Sequence, residues 1–414
     1  KNTFFNRELS WIEFNARVLY QACRNDLPLL ERIQFLSIVT SNFNEFFQVR
    51  VASIKRMQKI DSRKKDISGY TPTTLLKQIS VRAHEVVNQK NKCLQEELFP
   101  LLEKEGYVYV KPENFTPEQQ NFCQREFNSN ILPLLTPLRT DTDVFPRISN
   151  LQYHAAFLLK PIQDIKPMNN EFITREGKQA IAFVQIPTGI SRIVWLPGHT
   201  KAKQFTLVDN LVLQYGTQLF PGFEVKQSML FNVIRDADFA VDEDAGPNFI
   251  EAMEEVLVQR QSSFAVRLNC NNSSAEIKKF LMKNLGLNSD DVYECDELID
   301  PGCLLEIGKL EDTSRLKFEN WEHFYPKSLP EDKPYWDTLK QHDVLLHVPY
   351  ESYNPVVKFI SDAADDPDVI SIKMTLYRTG NDSPIISALK KAAQNGKQVT
   401  VLVELKARFD EERN

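Results

Sequence analysis

Ile370-Ser371-Ile372-Lys373-Met374-Thr375-Leu376-Tyr377-Arg378 is a short run rich in β-branched and apolar residues, closed by an arginine. With Val369 before it, the stretch Val369 to Tyr377 predicts a buried strand. Val356 to Ala364 predicts a helix ahead of it. Ile385 to Ala393 predicts a second helix, stopped by Asn395-Gly396, and Val399 to Leu405 predicts a second strand. Strand–helix–strand order with Val/Ile/Leu-rich strands predicts a parallel sheet covered on both faces. Two clear strands do not complete such a sheet, so the pattern predicts that these residues belong to a longer natural chain.

Working back from this region, residues 106–322 carry shorter strands and helices without regular alternation, which predicts an α+β domain. The predicted strands are Tyr107 to Val110, Ala155 to Leu159, Ile181 to Ile186 and Phe264 to Leu268; the predicted helices are Phe249 to Val258 and Ala275 to Leu285. Residues 1–105 read as helices. Phe14, Val18 and Leu19, and then Leu29, Leu30, Ile33 and Leu36, recur at helical spacing, and a long periodic stretch runs from Leu75 to about Leu98. Asn25-Asp26-Leu27 before Pro28 predicts a polar cap followed by proline in the first turn. The fold class is therefore multidomain α and α/β: a helical domain at 1–105, an α+β domain at 106–322 and a truncated α/β domain at 323–414.

The 414 residues are 42% hydrophobic and 26% charged, a globular balance that excludes disorder as the main state. Lys and Arg total 50 against 56 Asp and Glu, a net charge of −6, which disfavours a strongly cationic nucleic-acid binder. No run approaches the ~18 apolar residues of a membrane span, and Lys1-Asn2-Thr3-Phe4-Phe5 lacks the order of a signal peptide. The six cysteines are scattered without a C-x-x-C pair, which predicts reduced thiols in a cytoplasmic protein.

Arg378 follows the first strand of the α/β region and Arg408 follows the second. Open parallel sheets bind ligands at the carboxyl ends of their strands. Two guanidinium forks there could converge on one anion such as phosphate; the alternative is an exposed salt bridge to Asp410 or Glu411. In Ser41-Asn42-Phe43-Asn44-Glu45-Phe46-Phe47, an asparagine amide could read an adenine edge, and the aromatics could stack on a base or fill the core. Arg50, Lys55, Arg56, Lys59, Arg63, Lys64 and Lys65 form a basic stretch that is either a solvated helix face or a wall for polyanions. Asp236-x-Asp238 with Asp242-x-Asp244 is discounted as a calcium loop, because Val241 stands where glycine is needed. The cluster Asp362, Asp365, Asp366 and Asp368 is discounted as a metal site. No Walker, G-x-G-x-x-G or G-x-S-x-G motif is present.

Longer blocks carry a resemblance. Asn6 to Leu19, Phe35 to Phe47, Leu135 to Leu138 with Phe145 to Leu151, Arg235 to Phe239 with Val266 to Leu268, Ala363 to Val369, Thr375 to Arg378 and Glu404 to Glu412 resemble, in order along the chain, the signatures of the phosphohistidine-forming polyphosphate kinases. The resemblance implies reversible transfer of the terminal phosphate of ATP to inorganic polyphosphate, with Mg²⁺, and ATP/ADP and polyphosphate as partners. It also implies a cytoplasmic enzyme, at most peripheral to the inner membrane, dimeric through a head domain at 106–322. Residues 323–414 would then begin a phospholipase-D-like catalytic domain. Asn42 matches the family's base-contacting asparagine, and Arg378 and Arg408 match its two arginines at the magnesium–phosphate site. Guanidinium has no lone pair for a metal, so both arginines are read as phosphate clamps, with Glu404 or Asp410 the better ligands by chemistry. The family's phosphohistidine lies downstream of the Ala407-Arg408-Phe409-Asp410 block, and none of His84, His154, His199, His323, His342 or His347 matches it, so these residues alone are expected to be inactive. A phospholipase-D-like hydrolase and a non-catalytic polyphosphate-binding module are the alternatives.

Overall fold

The computed structural model describes residues 4–140, 145–162, 180–198, 201–238, 263–295, 298–329, 335–380, 383–405, 407 and 414. They fall into two units, Lys1–Phe318 and Glu319–Asn414.

The first unit opens with helices α1 (Arg7–Ala22), α2 (Leu29–Phe46), α3 (Ala52–Ile60), α4 (Pro72–Lys92) and α5 (Phe99–Lys104). Asn6 caps α1, its Oδ1 accepting from Leu9 N at 3.0 Å. Thr71 caps α4 ahead of Pro72 in the first turn. Wider π turns at Phe47–Val51 and Cys93–Leu98 join α2 to α3 and α4 to α5, so the period predicted from Leu75 to Leu98 is one continuous helical run. The polar cap predicted for α2 is not formed. Pro28 itself occupies the cap position and makes no side-chain bond, because Asn25 accepts from Arg32 and Asp26 pairs with Arg24.

The α+β part follows with β1 (Tyr107–Tyr109), α6 (Pro117–Glu126), β2 (Pro137–Arg139), β3 (Tyr153–Pro161), β4 (Ala180–Gln185), β5 (Ile193–Trp195), β6 (Lys203–Leu207), α7 (Val208–Tyr215), β7 (Phe223–Arg235), β8 (Ala265–Asn271), α8 (Ala275–Leu285) and β9 (Val292–Cys295). Six strands form one sheet in the order β2-β4-β3-β7-β8-β9, and β1-β6-β5 form a smaller one. The large sheet is apolar on both faces. Ala155, Phe157 and Leu159 enter one core with Val184 and Leu211, while Ala156 and Leu158 enter another with Phe231 and Leu281, as the strand period of two requires. The helix predicted at Phe249 to Val258 lies outside the described residues. Ile12, Leu36 and Phe43 of the helices share a core with Phe205, Ile234, Val266 and Leu304, so helices and sheet form one packed body.

The second unit contains α9 (Tyr335–Gln341), α10 (Asn354–Asp365), β10 (Ser371–Leu376), α11 (Pro384–Gln394) and β11 (Gln398–Val403). β10 and β11 pair in parallel, from Ser371 opposite Gln398 to Leu376 opposite Val403. Gly396, at φ +82°, ends α11 in the left-handed conformation that glycine adopts without strain. Ile372, Met374, Leu376, Val399 and Val401 pack on Ile360, Ile385 and Leu389 of the helices. The prediction of a buried strand in a sheet covered on both faces is corrected here. Ser371, Lys373 and Thr375, with Gln398, Thr400 and Leu402, lie on an exposed face. Lys373 and Thr375 interrupt the apolar run at the two-residue period and leave one face of the pair largely polar among the described residues.

Candidate functional site

Asn42 lies on α2 at the seam with α1 and is half-buried. Its Nδ2 donates to Oδ1 of Asn15 at 2.8 Å. Asn15 is fully buried and donates in turn to the carbonyl of Trp11 at 3.1 Å. This chain of hydrogen bonds fixes the orientation of the half-buried Asn42 amide. The neighbouring aromatics do not serve as base platforms. Phe43, Phe46 and Phe47 are buried, with Trp11 stacked on Phe46 at 4.4 Å and edge-on to Phe43 at 5.9 Å. Of the two roles the sequence left open for them, the structure takes core filling. Asn15 was not singled out in the sequence; an asparagine at an apolar helix position was the available signal.

In the second unit the carboxyl ends of β10 and β11 emerge side by side, and Glu404 N extends the ladder to Leu376 O at 3.0 Å. Arg378 stands exposed just past β10, its guanidinium 5.5 Å from the centroid of the Tyr377 ring. Arg408, its predicted companion, lies outside the described residues, as do Asp410 and Glu411. Asn414, also not anticipated, ties the two strand ends together. Its Nδ2 donates to Tyr377 O at 2.8 Å and Glu404 O at 2.7 Å, and its Oδ1 accepts from Thr379 N at 3.3 Å. An asparagine after a charged block carries no spacing that would have marked it. Among the described residues no group of three or more His, Cys, Asp or Glu is placed to hold a metal. Glu404 is exposed at the same strand ends. Its hard oxygen donor fits Mg²⁺, which commonly takes one or two carboxylates and completes its shell with water and substrate phosphates.

The basic stretch divides. Arg50 pairs with Glu8, Lys55 with Asp291 at 2.6 Å, and Arg56 with both Asp236 and Asp238, while Lys59 lies 4.4 Å from the centre of the Phe264 ring. Arg50, Lys55 and Arg56 are therefore committed to ion pairs, while Lys59 is exposed beside its ring. Lys64 and Lys65 border an apolar cleft with Ile54, Met57, Tyr70 and Leu75. The same pairs engage Asp236 and Asp238, while Asp242 and Asp244 lie outside the described residues.

The histidines are engaged structurally. His84 lies within hydrogen-bond distance of the carbonyls of Ser80 and Val292 and stacks on Tyr293 at 3.9 Å. His154 is buried against Phe231. His323 meets the carbonyl of Pro349 at 2.5 Å and His342 that of Asp343 at 3.0 Å, while the His347 ring tilts against Tyr350. His199 lies outside the described residues.

Three family models match in succession: the polyphosphate kinase N-terminal domain at residues 4–110, the polyphosphate kinase middle domain at 118–307 and the polyphosphate kinase C-terminal domain 1 at 334–414. The chain belongs to the polyphosphate kinase family. The polyphosphate kinase of Halalkalibacterium halodurans is 38% identical over 415 residues, covering 99% of this chain and 57% of that protein. Polyphosphate kinase 1 of Chlorobaculum tepidum is 37% identical, covering 99% and 58%. The crystal structure of polyphosphate kinase from Porphyromonas gingivalis superposes with a TM-score of 0.74 at 27% identity, covering 99% of this chain and 57% of that one. The chain thus spans a little over half the length of these polyphosphate kinases. All six cysteines are free, and among the described residues no helix is long and apolar enough to cross a membrane.

Proposed function

We propose that this chain supplies the nucleotide- and phosphate-handling surface of an enzyme that reversibly transfers the terminal phosphate of ATP to polyphosphate. Residues 1–105 are its helical domain, 106–322 its head domain, through which it dimerises, and 323–414 the start of a phospholipase-D-like catalytic domain in the cytoplasm. Asn42 contacts the base of ATP or ADP. Arg378 and Arg408 clamp phosphate oxygens as charge shifts during transfer. Glu404 would hold Mg²⁺ together with the phosphates, and the ion, when bound, would offset their negative charge.

One observation carries this reading: in a chain of this family, the parallel pairing of β10 with β11 leaves Arg378 exposed at the strand ends, where open α/β sheets take their ligands. In phosphoryl transfer the protein contributes mainly positioning and charge stabilisation, which a guanidinium fork supplies without ligating metal. The covalent step through a phosphohistidine needs a histidine free to attack phosphorus. None of the six histidines stands in the family's phosphohistidine motif, so the 414 residues alone are expected to act as a binding module. The test is Arg378→Ala in the full-length enzyme. Turnover should fall by about 10²-fold or more at an unchanged melting temperature. Normal turnover would remove Arg378 from the site.

A further inference from the structure

Two cations are buried together in the first unit. Lys90 on α4 and Arg267 on β8 are each 5% exposed. Both line a cavity of about 20 Å³ between α2, α4 and the large sheet, with Thr40, Asn44, Asn232 and Asn269. None of the described residues lining it is a carboxylate. Among the described residues Lys90 Nζ donates to neutral oxygens, Thr40 Oγ1 and Ile299 O, both at 3.3 Å. Arg267 lies in the corner of two rings that meet edge-on, its Cζ 3.8 Å from the centre of the Tyr293 ring and 4.7 Å from that of Phe47. Its Nε and Nη1 have no hydrogen-bond partner.

Aromatic faces hold a guanidinium but do not neutralise it. Asp300 offsets part of the Lys90 charge, whereas no carboxylate offsets that of Arg267 among the described residues; a buried cation without a counter-charge is strongly unfavourable, and an unpaired buried N–H adds to the cost. Water in the cavity would satisfy the N–H groups and leave the Arg267 charge standing. An anion would satisfy both demands at once.

We infer that Lys90 and Arg267 hold one small inorganic anion, of the size and charge of chloride, in the seam between the helices and the sheet. The cavity admits a particle about the size of a water molecule, which favours a halide over phosphate. Burial pushes Lys90 down to about 8, with Arg267 pressing the same way and Asp300 opposing, so the lysine carries charge at neutral pH for such an ion to meet. The ion would pin α2, the helix that bears Asn42, to α4 and the sheet.

The test uses bromide as an anomalous scatterer. Crystals of the protein grown in sodium bromide should give an anomalous peak between Lys90 Nζ and the Arg267 guanidinium. In solution, the melting temperature should be higher by several degrees in chloride than in gluconate at equal ionic strength. Arg267→Met and Lys90→Met should each abolish that difference. Should either variant fail to fold, the wild-type bromide map still decides. A map with a water peak or none at this position would overturn the inference, as would equal melting temperatures in the two salts.

Discussion

Asn42 and Arg378 separate two ways in which a polar side chain can matter. Asn42 is held by Asn15, so removing it costs a hydrogen bond worth about 1 kcal/mol along with any ligand contact. Asn42→Ala is expected to weaken ATP binding about tenfold while leaving polyphosphate binding unchanged, as calorimetric titration would show. Equal loss of both would mark Asn42 as packing alone. His154 gives a residue-scale dependence on pH. Burial lowers its pKa to about 4, against about 6.5 in an unfolded chain. Between these values the unfolded state binds more protons, so stability rises with pH. The contribution, about 3 kcal/mol, is complete above pH 6.5 and is lost as pH falls through 4. Urea midpoints measured from pH 7 to 4 should fall less steeply in His154→Gln than in the wild type; parallel curves would show that His154 does not titrate in this way. The sequence marked where Asn42 and Arg378 stand but not what they touch. The Asn42–Asn15 bond depends on how α1 packs on α2, and no spacing along one chain records that.

At the scale of elements, local rules read from the sequence carried well where the partner is local. The helical period from Leu75, the stop at Asn395-Gly396 and the helix Ala275–Leu285 each depend on neighbouring residues. The second face of the β10–β11 sheet failed because burial is set by what packs from outside the strand. The basic stretch shows the same limit: a run of lysines and arginines reads as a solvated face until distant acids are found opposite. Arg56 of α3 bridges to Asp236, just beyond the end of β7 and 1% exposed. Arg56→Met would leave that carboxylate buried without its cation, at a cost of about 2–4 kcal/mol. Asp236→Asn in the same background should recover part of the loss. Denaturation midpoints of the wild type and the two variants would measure this, and an unchanged midpoint in Arg56→Met would show that the pair contributes nothing.

At the scale of the whole molecule, the change near residue 105 from helical period to mixed pattern is visible in the sequence. The core that crosses it is not, because nothing in the local pattern of α2 announces Val266 or Leu304 as neighbours. Leu36 is fully buried in that shared core. If helices and sheet open together, a cavity at Leu36 should weaken both. Leu36→Ala is expected to cost about 2–5 kcal/mol. Under conditions where exchange reports opening equilibria, slow amides of β7 and β8 should then lose protection by the same factor as those of α2. Loss confined to the helices would mean that the sheet opens independently and that the shared core does not couple them. Equal loss would make the first unit one cooperative body. The Asn42 amide on α2, proposed to contact the nucleotide, would then be only as well positioned as the sheet behind it is stable.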